Sequence, residues 1–171
     1  MNRKAFTLLE LLVSVAILGM LVVALAVMFK QSTRSWESGH TRAEAQLIGR
    51  AICDFVTKDA ALAIYKPGHE IPSMSGFWTL VGTNRMEQFI SYHSNAQGVY
   101  RTVEGYAANV PLMENSDDCT VSLSLNFVPA NDPVRADVTV AVTLQKYGRT
   151  EPRPYVYKGT AALMNRNRYR L

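Results

Sequence analysis

An apolar run of 24 residues, 6–29, constrains the fold of this chain more than any other feature. A helix of that length is roughly 36 Å long at about 1.5 Å per residue. The hydrocarbon core of a bilayer is about 30 Å thick, so the helix is long enough to cross it with some tilt. Only Thr7, Glu10, Ser14 and Gly19 interrupt the apolar residues. The sequence therefore predicts a membrane-spanning helix close to its start.

Glu10 is the residue that a simple membrane anchor does not explain. An ionisable side chain within a membrane span is costly and points to a function that involves a partner. Arg3 and Lys4 precede the span and are long enough to reach back toward it. A cut before Phe6 would create a second partner, because a free α-amino group has a pKa near 8 and is cationic at neutral pH. That amine would lie about one helical turn from Glu10, or close to the Glu10 of a staggered neighbouring helix.

The residues around Glu10 resemble a known processing signature. After a short basic leader, residues 5–10 read Ala-Phe-Thr-Leu-Leu-Glu and continue into the apolar helix. This stretch closely resembles the type IV prepilin motif of pilin-like and pseudopilin proteins. The resemblance implies that prepilin peptidase cleaves between Ala5 and Phe6 and then methylates the Phe6 amine. It also implies that Glu10 serves subunit assembly in a helical filament. The chain departs from the family at Ala5, where glycine is usual.

The resemblance also implies a location and partners. The protein would sit in inner-membrane lipid as a single-pass protein with a periplasmic C-terminal part, and would then enter a type IV pilus or a type II secretion pseudopilus. Its partners would be other pilin or pseudopilin subunits, prepilin peptidase and the inner-membrane assembly platform. The chain length, the region of Trp36 and the strand-rich C-terminal part resemble minor pseudopilins of the J type, or their pilus counterparts. Secretion, adhesion and DNA uptake all stay open as the system served.

Two other kinds of N-terminal segment compete with this interpretation. A secretory signal peptide also begins with basic residues and an apolar stretch, and residues 24–26, Ala-Leu-Ala, resemble its cleavage site. That site lies inside the apolar run, however, and the run is longer than the usual 7 to 15 residues. The stronger alternative is an uncleaved signal anchor that holds an extracytoplasmic binding module, with Glu10 paired to Lys4.

Beyond the span, the pattern predicts that the helix continues. No proline occurs before Pro67, so the helix can run to about residue 64 before the Lys-Pro-Gly sequence at 66–68 ends it. Apolar residues recur in this part at three- and four-residue spacing, as on an amphipathic helix. The predicted apolar stripe consists of Leu47, Ile48, Ala51, Ile52, Phe55 and Val56.

The remainder of the chain predicts antiparallel strands. Residues 121–127 and 138–144 alternate apolar and polar side chains with a period of two, which indicates two paired strands with one face buried on the helix. Weaker strand patterns occupy 77–81, 88–93 and 98–103, with a hairpin loop at 94–97. Residues 155–157 and 160–164 indicate one or two last strands. The predicted fold is α+β, with one long helix on an antiparallel sheet of four to six strands. Its predicted parts are the leader 1–5, the membrane and assembly helix 6–29, its amphipathic continuation 30–65 and the β-rich part 66–171.

The sequence offers little that could carry catalysis. His40, His69 and His93 stand apart, with no pair at metal-ligand spacing. Neither a phosphate-binding loop nor a nucleophile motif is present in the sequence. We therefore predict a structural protein without enzyme activity, cofactor or metal. The acidic residues of 114–118 could offer oxygen ligands to calcium, but their spacing fits a solvated turn better.

Two further features have alternative interpretations. The arginines at 166, 168 and 170 lie near Tyr169, and such a group would suit contact with DNA. A charged tail or a guarded edge strand is the commoner explanation, however. Because the net charge is also only +4, DNA is not an expected partner. Cys53 and Cys119 are far apart in the sequence and do not have metal-ligand spacing. They could form a disulfide in an oxidising compartment, or they could be two small buried residues.

Overall fold

Helix α1 comprises Leu8–Ala61, and the strands follow it in the sequence. This is the arrangement in a computed structural model that describes residues 7–64, 72–81, 86–105, 109–129, 133–146, 149–150 and 153–163. The chain divides into two units, 1–40 and 41–171. The predicted α+β class is confirmed. The strands are β1 (Ala63–Ile64), β2 (Phe77–Val81), β3 (Met86–Asn95), β4 (Gly98–Val103), β5 (Val110–Glu114), β6 (Cys119–Val128), β7 (Arg135–Lys146), β8 (Arg149–Thr150) and β9 (Tyr155–Ala162).

The first unit consists, in its described part, of the N-terminal portion of α1. Its apolar side chains are exposed on all sides of the helix between Leu8 and Phe29. Leu8 is 82% exposed and Phe29 is 72% exposed. A helix that is apolar all round is typical of a membrane span or of a fully buried helix. Among the described residues, α1 is the one helix that is long and apolar enough to cross a membrane.

The first sheet of the second unit is an antiparallel meander in the order β1-β2-β3-β4-β5. The β3–β4 hairpin was predicted with a four-residue loop, and its turn is shorter, at residues 96–97. Asn95 Oδ1 accepts hydrogen bonds from the N–H groups of Gln97 and Gly98 at 2.9 and 3.1 Å, which closes the turn. Gly98 has a φ of 146°, and a β-carbon there would overlap the Met113 carbonyl oxygen, so this position requires glycine.

The second sheet is centred on β7, which pairs antiparallel with β6, β8 and β9. The predicted pairing of 121–127 with 138–144 is correct, with Val121 opposite Val142 and Leu125 opposite Val138. Residues along β6 alternate between buried and exposed from Cys119 to Phe127, as the period of two predicted. The two segments predicted as one or two last strands, 155–157 and 160–164, belong to one strand, β9, which ends at Ala162. The described strands thus form two sheets, of five and four strands, whereas the sequence pattern predicts one sheet of four to six strands.

The face that the helix contributes to the core matches the predicted stripe in part: Ile48 packs against the core, and Ile52 and Val56 lie within it. By contrast, Leu47 is 72% exposed and Phe55 is 42% exposed. The contact face also includes small side chains, because these let the helix axis approach the sheet closely. At Gly49 the ring of Tyr157 occupies the space where a β-carbon would be. The buried residues of α1 are Thr41, Ala45, Gly49, Ile52, Cys53, Val56 and Ala60.

Candidate functional site

Thr7 and Glu10 form a reciprocal cap at the start of α1. The Glu10 N–H donates to Thr7 Oγ1 at 3.3 Å, and the Thr7 N–H donates to Glu10 Oε2 at 3.2 Å. The Thr7 hydroxyl also donates to Glu10 Oε2 at 3.2 Å. This is the capping box expected when a threonine is followed three residues later by glutamate, and it satisfies two N–H groups that a helix start leaves open. The Thr-x-x-Glu spacing, from which this capping box could have been predicted, is visible in the sequence.

The remaining residues of the predicted processing site lie outside the described residues. These are Ala5 and Phe6, where cleavage and methylation are expected, and Arg3 and Lys4, the candidate partners of Glu10. Glu10 itself is exposed in the described structure. Its carboxylate therefore has Thr7 as its partner among the described residues, and the charge partner stays a prediction.

Hydroxyl side chains within and just beyond the apolar part of α1 are hydrogen-bonded within the helix. The Ser14 hydroxyl donates to the Glu10 carbonyl at 2.7 Å, and the Thr33 hydroxyl donates to the Phe29 carbonyl at 3.0 Å. Hydroxyl groups bonded to the carbonyl four residues earlier need no water, which suits them to a lipid or helix-bundle environment. Glu10 differs from these hydroxyl groups because its side chain is ionisable, and among the described residues its hydrogen-bond donors come from Thr7.

Trp36 and His40 form a stacked pair of rings. They lie seven and eleven residues beyond Phe29, the last residue of the apolar run. Their ring centroids are 5.4 Å apart and the ring planes differ by 1°. Trp36 is 64% exposed. An exposed tryptophan just outside a membrane span suits the headgroup region of a bilayer, where amphipathic aromatic rings are enriched. Packing against a neighbouring subunit is compatible with this position.

The second unit contains a partly buried polar cluster that joins α1 to the first sheet. Asp59 Oδ2 accepts a hydrogen bond from the Tyr92 hydroxyl at 2.8 Å and another from Arg101 Nε at 2.7 Å. Burial raises the pKa of Tyr92 well above its ordinary value, and the nearby Asp59 carboxylate adds to this effect. The Arg101 guanidinium also lies 5.6 Å from the ring centre of Phe55.

This cluster has the properties of a structural link rather than of a catalytic site. Its carboxylate is neutralised by an arginine, and its tyrosine is held in the protonated form, so neither group is set up to accept a proton. The sequence gives no sign of this cluster, because 33 and 42 residues separate Asp59 from its partners. No local periodicity reports a contact over such separations.

The two cysteines are present as buried thiols and not as a disulfide. Cys53 lies on the inner face of α1, and Cys119 begins strand β6. Burial raises the pKa of the Cys53 thiol. A thiol in such surroundings is a poor nucleophile, because the thiolate is the reactive form.

The other residues considered for metal or nucleic-acid binding do not come together. His93 Nε2 lies 3.2 Å from Ser91 Oγ, and Asn115 of the acidic turn bonds inward, its Oδ1 accepting the Val121 N–H at 2.7 Å. Within the described residues no three His, Cys, Asp or Glu side chains are grouped to hold a metal ion. His69 and the arginines at 166, 168 and 170 lie outside the described residues.

Residues 1–26 match the family model of the prokaryotic N-terminal methylation motif. Comparisons with curated proteins and with solved structures found no match. The matched segment contains the predicted cleavage site and Glu10. It supports a type IV pilin-like or pseudopilin protein that is processed by prepilin peptidase, and such proteins are structural rather than enzymatic. Together with the exposed apolar helix, the motif fits a membrane-anchored protein that assembles with other pilin subunits.

Proposed function

We propose that this chain is a minor subunit of a type IV pilus or of a type II secretion pseudopilus. Prepilin peptidase removes residues 1–5 and methylates the Phe6 amine. The mature protein waits in the inner membrane, with residues 41–171 on the periplasmic side, until the assembly platform moves it into the filament. The methylation motif at residues 1–26 and the apolar surface of α1 support this proposal.

The observation that carries the proposal is the position of Glu10. Its carboxylate stands among apolar side chains that are mostly more than half exposed, such as Leu9 at 73% and Leu11 at 60%. Packing these surfaces against neighbouring helices removes apolar area from water or lipid and brings the carboxylate into a low-dielectric environment. An unpaired charge there costs several kcal/mol, so assembly requires a cationic partner for Glu10.

The Phe6 amine of a neighbouring subunit is the partner we propose. A carboxylate can accept about four hydrogen bonds, and Thr7 supplies two of the donors within the described residues. Room therefore remains for a charged donor from another chain. Pairing one amine with one carboxylate fixes how far each helix is displaced along the filament axis from the next, because a shift by one turn would leave both charges unpaired.

The role of the charge can be separated from the role of the cap. Glu10→Gln keeps an acceptor that can complete the capping box but removes the charge, whereas Glu10→Ala removes both. We expect both variants to insert into the membrane normally and to be absent from sheared filaments and from cross-links to other subunits. Thr7→Ala, which weakens the cap and keeps the charge, should still be incorporated.

Incorporation of Glu10→Gln at the level of the unmodified protein would contradict the proposed charge pair. If Glu10→Gln is incorporated and Glu10→Ala is not, the cap and not the charge would be the assembly element. The control for folding is the same for every variant, namely equal amounts of protein in the membrane fraction before assembly.

A further inference from the structure

A groove of about 1100 Å³ lies in the second unit, beside the β3–β4 hairpin. We call it the hairpin groove. Residues 72–75 and residues 125–127 of β6 contribute to its walls, together with His93, Asn95 and Tyr100 of the hairpin. The groove is separate from the N-terminal segment on which the proposed function rests, so its role does not depend on that proposal.

The two ring side chains of the groove lie on the face of the hairpin that is turned away from helix α1. Tyr92 and Arg101 bond to Asp59 of the helix. Because successive side chains of a strand point to opposite faces, His93 and Tyr100 lie on the other face. These two residues are direct partners in the β3–β4 ladder, so their side chains lie next to each other.

Hydrogen bonds within the protein hold both rings. His93 Nε2 lies 3.2 Å from Ser91 Oγ, and the Tyr100 hydroxyl donates to the Gln97 carbonyl at 3.4 Å. His93 is exposed and Tyr100 is half-buried, so a ligand can reach them. Side chains that are already fixed lose less conformational entropy when a ligand binds. The rings therefore provide a preformed surface.

Three exposed asparagines that line the groove are each bonded to the protein through one atom of the amide group. Asn95 Oδ1 accepts two backbone N–H groups of the hairpin turn. Asn109 Oδ1 accepts the Thr102 hydroxyl at 2.6 Å. Asn126 Nδ2 donates to Ser124 Oγ at 3.3 Å. Each amide group is thus held in one orientation.

The second atom of each amide group has no hydrogen-bond partner in the part of the chain that the structure describes. Asn95 and Asn109 therefore offer their NH₂ groups to a ligand, and Asn126 offers its carbonyl oxygen. A ligand that uses all three must both accept and donate hydrogen bonds. Hydroxyl groups do both, whereas an ionised carboxylate can only accept.

The lining of the groove also disfavours charged ligands. None of the described residues that line it is Asp, Glu, Lys or Arg. A charged ligand would lose hydration on entering and would gain no opposite charge in return. Nucleic acid is disfavoured for the same reason, since its binding depends on cationic contacts with phosphate groups. The groove thus suits a neutral ligand that is rich in hydroxyl groups.

We propose that the hairpin groove binds a neutral oligosaccharide. Hydroxyl groups of the sugar would bond to the free amide atoms of Asn95, Asn109 and Asn126. The apolar C–H face of one sugar ring would pack on the ring of Tyr100, which is an amphipathic side chain. The groove is somewhat larger than the roughly 300–1,000 Å³ of most small-molecule sites, so several linked sugars fit better than a single one.

An uncharged peptide is the competing ligand. Peptides are commonly bound through their backbone at the open edge of a sheet. At this groove the edge residues of β6 are Leu125 and Phe127, which are only 3% and 7% exposed. Their backbone groups are thus out of reach, whereas the asparagine side chains are exposed. This difference favours a ligand that is recognised by side chains.

The test uses NMR of the full chain in dodecylphosphocholine micelles, because that detergent contains no sugar. The neutral probes are maltohexaose, cellohexaose and chitohexaose. At least one of them should shift the side-chain amide signals of Asn95, Asn109 and Asn126, with a Kd of about 1 mM or lower. The charged hexamer of galacturonic acid and the peptide acetyl-Thr-Val-Thr-Val-Thr-Val-amide should bind at least about tenfold more weakly.

Two variants of Tyr100 test the ring surface. Tyr100→Ala removes the ring and should weaken binding of the oligosaccharide at least about tenfold. Tyr100→Phe keeps the ring and loses only the bond to the Gln97 carbonyl, so it should bind within about threefold of the unmodified protein. Thermal unfolding of both variants, followed by circular dichroism, verifies that they are folded.

Two serine variants of β6 test whether the fixed amide matters. Ser124 bonds to Asn126 but does not itself line the groove, and Ser122 is an exposed serine on the same strand without that bond. Ser124→Ala should weaken binding at least about threefold, because Asn126 is no longer held. Ser122→Ala should leave binding unchanged.

Four results would each overturn the proposal. The first is that none of the three neutral oligosaccharides shifts the asparagine signals. The second is that the galacturonic acid hexamer or the peptide binds as tightly as the best neutral sugar. The third is that Tyr100→Ala binds as well as Tyr100→Phe, and the fourth is that Ser124→Ala binds as well as Ser122→Ala.

Discussion

Arg101 Nε on strand β4 lies 2.7 Å from Asp59 Oδ2 on helix α1, and both side chains are less than a fifth exposed. The same carboxylate oxygen accepts the Tyr92 hydroxyl, so one atom of the helix is bonded to two strands of the first sheet. The contact lies two residues before the end of α1, at Ala61. It therefore fixes the last turn of the helix against the β3–β4 hairpin.

Removal of the Asp59 carboxylate should destabilise the second unit. Asp59→Ala leaves the guanidinium of Arg101 partly buried without its counter-ion, and we expect the free energy of unfolding to fall by about 2–4 kcal/mol. Urea unfolding in detergent, followed by tyrosine fluorescence, measures this change. The double variant Asp59→Leu/Arg101→Met should recover part of the loss, because it removes the unpaired charge.

The control for this prediction is the exposed pair of Arg135 and Asp137. Their side chains are 53% and 37% exposed and 3.4 Å apart. Arg135→Ala should change the free energy of unfolding by no more than about 0.5 kcal/mol. Equal losses for Asp59→Ala and Arg135→Ala would show that the Asp59 cluster is not a stabilising link.

Tyr92 should make stability depend on pH in the alkaline range. Burial and the Asp59 carboxylate raise its pKa in the folded state, whereas an unfolded tyrosine has a pKa of about 10. Below pH 10 the phenol is protonated in both states, so its contribution is fully present. Above pH 10 the unfolded state loses a proton that the folded state retains, and the free energy of unfolding should fall by up to about 1.4 kcal/mol per pH unit.

Tyr92→Phe isolates this contribution from those of the other tyrosines. The variant should lose the hydrogen bond to Asp59 and unfold more easily at pH 7, by about 1 kcal/mol. Its stability should then fall less steeply between pH 10 and 11 than that of the unmodified protein. Parallel curves for the two proteins over this interval would contradict the assignment of a raised pKa to Tyr92.

Two glycines of α1 should respond in opposite directions to alanine. In a helix, alanine is favoured over glycine by about 1 kcal/mol. Gly39 has open space around it, so Gly39→Ala should be neutral or stabilising. Gly49 faces the ring of Tyr157, and Gly49→Ala should destabilise the second unit by about 1–3 kcal/mol despite the better helix propensity.

Thermal unfolding of the two glycine variants, measured by circular dichroism, gives the comparison. A protein with Tyr157→Ala lacks the ring that overlaps a β-carbon at position 49. In that protein Gly49→Ala should lower the free energy of unfolding by less than it does in the unmodified protein. Similar midpoints for Gly39→Ala and Gly49→Ala would mean that α1 does not pack on β9 through Gly49.

The cysteines should react only when the protein unfolds. Cys53 and Cys119 are buried thiols, and the pKa of Cys53 is raised by burial, so little thiolate is present at neutral pH. We expect maleimide to modify neither residue in the folded protein within the time needed to label both in urea. Mass spectrometry of protein isolated without reductant should show two alkylated cysteines after unfolding. Absence of labelling in urea until a reductant is added would demonstrate a disulfide instead.

Local sequence patterns identified the elements that local physics determines. The period of two in 121–127 and 138–144 predicted β6, β7 and their pairing, because alternating burial is a property of each strand by itself. The absence of proline before Pro67 predicted a continuous helix, and α1 does run without interruption from Leu8 to Ala61. The motif around Glu10 was likewise readable, because its residues are adjacent in the sequence.

Other features depend on contacts between distant parts of the chain. Leu47 and Phe55 belong to the predicted apolar stripe, yet both are exposed. The helix meets Tyr157 at Gly49, because glycine has no side chain to keep the ring away. Side chains of Ser94 and Asn115, and not a further strand, accept hydrogen bonds from the outer edge of β6. A serine and an asparagine in such roles have no distinctive sequence pattern.

The mass of the mature N-terminal peptide tests the central claim most directly. The protein should be recovered from the membranes of a cell with an active prepilin peptidase and digested, and its N-terminal peptide sequenced by tandem mass spectrometry. Our account predicts a chain that begins at Phe6 and carries one methyl group on its α-amine. A chain that begins at Met1 would show an uncleaved anchor, and one that begins at Val27 would show ordinary signal-peptide cleavage. Either of these results would contradict the proposal that the protein is a filament subunit.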